Sequence, residues 1–174
     1  MAGAVWIGWQ EGAIRLERFL DPTAWLLDGA LGLGTGALLL GLWEVARQAL
    51  PAARRLEERL GELLGPINLS EVVALALLSG FAEELFFRGA LQGAWGWLAA
   101  TILFALAHPE PNRGYGVWTV FVGVAGLALA GLVVWRGNLL PAIVAHSLVN
   151  GVNLARLARR QASFKAGKLP VGEK

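Results

Sequence analysis

Gly80-Phe81-Ala82-Glu83-Glu84-Leu85-Phe86-Phe87-Arg88-Gly89 sets two carboxylates and a guanidinium inside an otherwise apolar stretch. An ionisable side chain at membrane depth costs about 2.5–3.5 kcal/mol even on the most lenient insertion scale, and it persists there with a partner or a task. Three such residues in six therefore point to a buried polar site. Helical spacing divides them. At about 100° per residue Gly80, Glu84 and Arg88 share one face, with Glu83 and Phe87 beside it. Glu84 and Arg88, at i and i+4, form an ion pair that lowers the cost of both charges. Glu83 is then the less compensated acid, and a glutamate in a dry cavity is what a general base requires.

The rest of the chain supplies the apolar setting. Of 174 residues, 56% are hydrophobic and 16% charged, against about 25% charged in an average soluble domain. Lipid is the implied solvent. Absence of cysteine rules out disulfides, thiolate metal sites and a cysteine nucleophile. A net charge of +2 gives no reason to expect a nucleic-acid partner. The length suits one membrane domain, 1–174.

Apolar runs and breakers predict an all-α polytopic bundle of about five transmembrane helices. The spans are Thr23–Trp43, Ser70–Leu91, Trp95–His108, Val117–Trp135 and Leu139–Leu154. Asn68 or Ser70 caps the second span, with Glu71 near the positive end of its dipole. A turn through Gly93 leads to the third, and Pro109–Gly116 is a loop. Segment 1–20, with Trp6 and Trp9, reads as an interfacial amphipathic helix. Glu44–Gly65, charged on one face, reads as a second surface helix. The tail 155–174 is basic. Five crossings put Arg47, Arg54, Arg55, Arg59, Arg113 and the tail on one side, which the positive-inside rule makes cytoplasmic. The expected location is the cell membrane, multi-pass, N-terminus out and C-terminus in. Asp28 in the first span has no evident role. The Gly32-x-x-x-Gly36 pair permits close helix approach, although coincidence explains it as well in so glycine-rich a stretch.

The chain's two histidines stand in two further apolar segments. In Phe104-Ala105-Leu106-Ala107-His108 one helical turn separates ring from imidazole. In His146-Ser147-Leu148-Val149-Asn150 an imidazole and a carboxamide, again i and i+4, project into one groove, where both can donate to a developing oxyanion. Taken singly, each has a bland alternative: a helix-end histidine, or inter-helix hydrogen bonds worth about 0.6 kcal/mol.

Taken in order, Glu83-Glu84-x-x-x-Arg88, Phe104-x-x-x-His108 and His146-x-x-x-Asn150 resemble the motifs of the CPBP family. These are the CAAX-protease and bacteriocin-processing intramembrane peptidases, also called Abi. The resemblance covers about Ser70–Asn153 and makes 70–153 the catalytic core. It implies a helical membrane bundle around a polar cavity and hydrolysis of a peptide bond in a peptide or membrane-protein substrate. By motif position Glu83 activates water with His108 assisting, and His146 and Asn150 bind the oxyanion. Glu84, Arg88 and Phe104 support the site. Zinc is allowed, with Glu83, His108 and His146 as one oxygen and two nitrogen ligands. With no His-Glu-x-x-His helix, the reading leans to glutamate-activated water and no obligatory metal. Partners are the substrate and the bilayer, with a homo-oligomer allowed as a way to complete the cavity wall.

Two rival readings remain at this level. A catalytically silent relative acting as an immunity or scaffold protein need not keep every motif. A proton-relay bundle using Glu83, Glu84 and Asp28 predicts polar groups in most spans, and Val117–Trp135 has almost none. One count conflicts with the hydrolase: at 1.5 Å per residue Glu83 lies roughly 20 Å from the Ser70 end of its span, whereas His108 ends its own.

Overall fold

The computed structural model describes residues 22–64, 66–109 and 116–165. The expected interfacial helix 1–20, most of the 109–116 loop and the tail beyond 165 lie outside the described residues. Within them the chain is helical throughout, with no strand. The elements are α1 (Pro22–Ala49), α2 (Pro51–Leu64), α3 (Leu69–Glu84), a π-helical turn (Leu85–Leu91), α4 (Gln92–Leu106), α5 (Val117–Arg136) and α6 (Leu140–Lys165).

Asn68, rather than Ser70, caps α3. Its Oδ1 accepts from the Glu71 amide at 3.0 Å, and its own amide donates to Glu71 Oε2 at 2.7 Å, a reciprocal capping box. Two other boundaries differ from expectation. Helix α1 runs on to Ala49 and breaks at Leu50, because a residue before proline is pushed out of the helical region. The surface helix is therefore Pro51–Leu64, not Glu44–Gly65; the charge that starts at Glu44 is the polar end of α1. The second correction concerns the return of the chain. The helix begun at Leu69 does not stop at Leu91 and turn at Gly93. It widens into the π turn, continues, and reverses at Gly96, whose φ of 83° favours a residue without a Cβ.

That shift removes the conflict of depth. Glu84 lies twelve residues before Gly96 and His108 twelve after it, and antiparallel arms of a hairpin meet at equal counts from the tip. The returning arm Trp97–Leu106 covers about 15 Å, so it is no full crossing.

Helix α6 runs through the centre, with α1 along one side and α3 along the other. The glycine pair of α1 forms the first crossing. A Cβ on Gly32 would lie 2.6 Å from the Pro141 carbonyl oxygen and 2.7 Å from Val144 Cβ, and Gly36 faces Ala145 and Leu148. Gly80 of α3 crosses α6 against Ser147. Asp28, fully buried, accepts from Arg136 Nε at 2.6 Å and Asn138 Nδ2 at 2.8 Å. Asn138 Oδ1 in turn accepts from the Leu140 amide at 3.0 Å. Asp28 thus ties α1 to the α5–α6 turn, which gives the aspartate a structural role.

Among the described residues two helices, Thr23–Ala49 and Val117–Arg136, are long and apolar enough to cross a bilayer. The expected set of five is not matched helix for helix. Helix α3 and the π turn carry the charged cluster, the return of α4 is short, and the apolar run of α6, an unbroken helix, is interrupted by His146, Asn150 and Asn153. Large apolar side chains nevertheless stand exposed around the bundle, among them Leu26, Leu38, Leu78, Val120 and Val134. A surface of that kind fits lipid.

Candidate active site

The π turn and the hairpin place the site. Leu85–Leu91 shifts the helix register so that Arg88 turns back on its own helix, and its Nη1 donates to Glu84 Oε1 at 2.8 Å. Such turns inside α-helices are frequent at functional sites. The guanidinium also donates from Nη2 to the Gly126 carbonyl at 3.2 Å and lies 4.1 Å over the Phe104 ring. Gly126 allows this: a Cβ there would meet Phe104 and Thr101. Both members of the pair are buried, so each needs the other.

Phe104 is the ring on which the site packs. Its centroid lies 4.7 Å from that of His108, 5.9 Å from His146 and 5.0 Å from Phe87. The Phe104 carbonyl also fixes His108, whose Nδ1 donates to it at 2.7 Å; a carbonyl only accepts, so Nδ1 carries the proton. Thr119 at the start of α5 donates to the His108 carbonyl at 3.1 Å, which anchors this helix end. His146 Nδ1 lies 2.7 Å from Glu84 Oε1, the oxygen that Arg88 also holds. An ionised carboxylate only accepts, so His146 too is protonated on Nδ1.

Both imidazoles therefore turn Nε2 towards Glu83. Its Oε2 stands 3.3 Å from His108 Nε2 and 3.9 Å from His146 Nε2 and makes no hydrogen bond. Glu83 is part-exposed, while Glu84 is sealed. Among the described residues no group of three His, Cys, Asp or Glu side chains is arranged to hold a metal ion.

Asn150 lies one turn beyond His146 and donates from Nδ2 to Ser79 Oγ at 2.9 Å. A cavity of about 550 Å³ reaches Ser79, His108, His146 and Asn150. It continues between α1, α2, α5 and α6 along apolar walls such as Leu39, Trp43, Leu60 and Phe121. Asn153 lines it further on, and Glu57 of α2 stands at its polar end. There Glu57 Oε2 faces Arg160 at 3.2 Å and Arg47 at 3.9 Å.

Glu83, Glu84, Arg88, Phe104, His108 and His146 thus form one contiguous cluster, and Asn150 joins it through the cavity. Sequence reading passed over the Gly126 carbonyl and Thr119, and set Ser79 aside because it lacks the Gly-x-Ser-x-Gly setting of a serine nucleophile. Only Ser79 had a signal, four residues before Glu83 and so on its face of the helix.

A family model described as "Type II CAAX prenyl endopeptidase Rce1-like" matches residues 65–152, half of the chain. Among curated proteins, "Uncharacterized protein YpbD" of Bacillus subtilis (strain 168) is 36% identical over 87 residues, which are 49% of this chain and 44% of that protein. The chain thus matches less than half of that relative's length. No solved structure matches significantly.

Proposed function

The chain belongs to the Rce1-like family of type II CAAX prenyl endopeptidases, and on that premise we propose that it hydrolyses peptide bonds within the membrane by glutamate-activated water. The observation that carries the reading is the convergence of Glu83 Oε2 with His108 Nε2 and His146 Nε2, at 3.3 and 3.9 Å, beside a cavity of about 550 Å³.

Glu83 Oε2 takes a proton from a water held between it and His108, and the water oxygen attacks the scissile carbonyl carbon. Negative charge passes to the carbonyl oxygen. Asn150 donates to it from Nδ2, and His146 donates from Nε2 when the ring carries both protons. Glu84, hydrogen-bonded to Nδ1, stabilises that imidazolium as buried carboxylates do. The C–N bond then breaks, and the proton held by Glu83 goes to the leaving nitrogen. Donors aimed at a charge that exists only in the transition state raise kcat more than they lower KM.

The positions of the tryptophans support the membrane setting. Trp25, Trp95, Trp97 and Trp135 are all exposed. Asp28 bonds to Arg136 and Gln92 to the Ala130 carbonyl, which brings these four to one end. An exposed tryptophan belt marks a bilayer interface. The opposite end carries Arg47, Arg54, Arg55, Arg156, Arg159 and Arg160, which makes it cytoplasmic. Along α6 from Asn138 to His146, or along the hairpin from Gly96 to Glu84, the site lies about 12–18 Å from the belt. That is near the middle of a hydrocarbon core about 30 Å thick. The bundle is read as multi-pass in the cell membrane.

The test uses the full chain in bicelles, with two probes: an internally quenched peptide whose farnesylated cysteine stands at the Cys-a-a-X position, and a library of quenched transmembrane peptides. Wild type should cleave at least one probe, and Glu83→Gln and His146→Ala should lose about 10³-fold or more in kcat/KM. A chelator should leave the rate unchanged. Turnover by both variants at the wild-type rate refutes the hydrolase, as does a wild type inert to every probe. Loss of activity on chelation with recovery by zinc refutes the metal-free mechanism.

A further inference from the structure

We propose that Ser79 is a positioning residue of the reaction. Its hydroxyl decides which end of the Asn150 carboxamide faces the oxyanion. The inference rests on the reading of Asn150 as an oxyanion donor.

An asparagine amide has a donating and an accepting end of nearly the same shape, and nothing in the covalent structure prefers one orientation. At the site the difference is decisive. The NH2 end stabilises a developing negative charge, whereas the C=O end repels it. Ser79 Oγ lies 2.9 Å from Asn150 Nδ2 and 3.5 Å from the Ala76 carbonyl. In the structure the hydroxyl accepts from Asn150 Nδ2, with the Ala76 carbonyl as the more distant acceptor for its own proton. The amide thus turns its nitrogen to α3, and the second N–H of that nitrogen is left for the cavity that Ser79 and Asn150 both line.

The placement is fixed by both helices. Ser79 precedes Glu83 by one turn on α3, and Asn150 follows His146 by one turn on α6. Between them the backbone at Gly80 packs directly against Ser147, which brings the two helices into close contact at this register. One face of α3 therefore presents both the base and the group that sets the polarity of the opposing donor. Loss of the hydroxyl leaves the carboxamide free to turn its oxygen to the substrate.

Four variants of the full chain in bicelles separate this role from a structural one, with the farnesylated quenched peptide as probe, or the fastest-cleaved transmembrane peptide if wild type prefers it. Ser79→Ala should lower kcat about three- to tenfold, the worth of one hydrogen bond, with KM and thermal unfolding unchanged. Ser79→Thr, which keeps the hydroxyl, should stay within about twofold of wild type. Asn150→Ala should lower kcat about 10²- to 10³-fold, and Ser79→Ala added to it should change nothing further. An unchanged kcat in Ser79→Ala overturns the proposal. So does an additive loss in the double variant, or a fall in kcat that Ser79→Thr shares while its unfolding matches wild type. Full activity of Asn150→Ala overturns the underlying assignment of the oxyanion donor instead.

Discussion

Removing Arg88 alone should damage this protein more than removing Arg88 and Glu84 together. The side chains are 1% and 0% exposed and joined at 2.8 Å. Arg88→Met leaves the Glu84 carboxylate buried with no cation and only the His146 N–H for a partner, and breaking a buried pair from one side costs about 3–5 kcal/mol. Glu84→Leu strands the guanidinium at a similar cost. It also takes the acceptor from His146 Nδ1, which adds about 1–3 kcal/mol. In the double variant no charge is left unpaired. What is lost is the acceptor for His146 and the donor to the Gly126 carbonyl, together about 2–4 kcal/mol. The cycle should therefore show a coupling of at least about 2 kcal/mol, with the double variant no less stable than either single one. Equilibrium unfolding of the full chain in mixed micelles, followed by tryptophan fluorescence and far-UV circular dichroism, measures all four corners. Single costs that add to within about 0.5 kcal/mol mean that the pair is not coupled, and the reasoning fails. Activity should not follow stability: the double variant, although no less stable than either single one, should be inert, because His146 has lost the carboxylate that orients it. An active double variant would sink that role for Glu84.

Gly32→Ala should destabilise by about 1–3 kcal/mol, since its Cβ would lie 2.6 Å from the Pro141 carbonyl oxygen. Gly34→Ala, where nothing lies within 4 Å, should be neutral or stabilise by up to about 1 kcal/mol; equal effects in the same unfolding assay would mean that the α1–α6 crossing is misplaced. Gly96→Ala, at φ 83°, should cost about 1–3 kcal/mol of backbone strain and loosen the hairpin that sets Glu84 opposite His108. A spin-label distance across the two arms that does not change, together with unchanged stability, argues against that hinge. Asp28→Asn should lower stability by about 1–3 kcal/mol through the weakened bond to Arg136 while kcat stays at the wild-type value. A fall in kcat at unchanged stability would return Asp28 to the reaction.

The site was legible where its residues lie within one helical turn of each other. Glu84 with Arg88, Phe104 with His108, and His146 with Asn150 all announce themselves by spacing, because charge and amide groups stand out in an apolar run. What joins one turn to another was not legible. The Glu84–His146 and Ser79–Asn150 bonds link residues 62 and 71 positions apart, and no local pattern encodes such a distance. Asp28 was opaque for the same reason, its partners being Arg136 and Asn138. The depth of His108 was misjudged by a different route. An unbroken apolar run gives no sign of which glycine reverses it, and Gly96 rather than Gly93 moves the tip by three residues. The start of charge at Glu44 was mistaken for the end of α1, although Pro51 marked the true break.

The half-length return of the chain has a consequence for the lipid beside it. From Trp97 to Leu106 the bundle offers about 15 Å of apolar wall on that side, through Ile102, Leu103 and Leu106, where the surrounding bilayer needs about 30 Å. Hydrophobic mismatch of this size is met by local thinning or by water drawn inward. A helical segment that drifts against this wall would leave hydrocarbon halfway down its length. Its backbone hydrogen bonds, unbreakable in dry lipid, would then compete with water at the level of Glu83. On the function proposed above, the short helix would do more than bring His108 to the depth of Glu83, because it would let a membrane-buried substrate helix unwind where its peptide bonds can be reached.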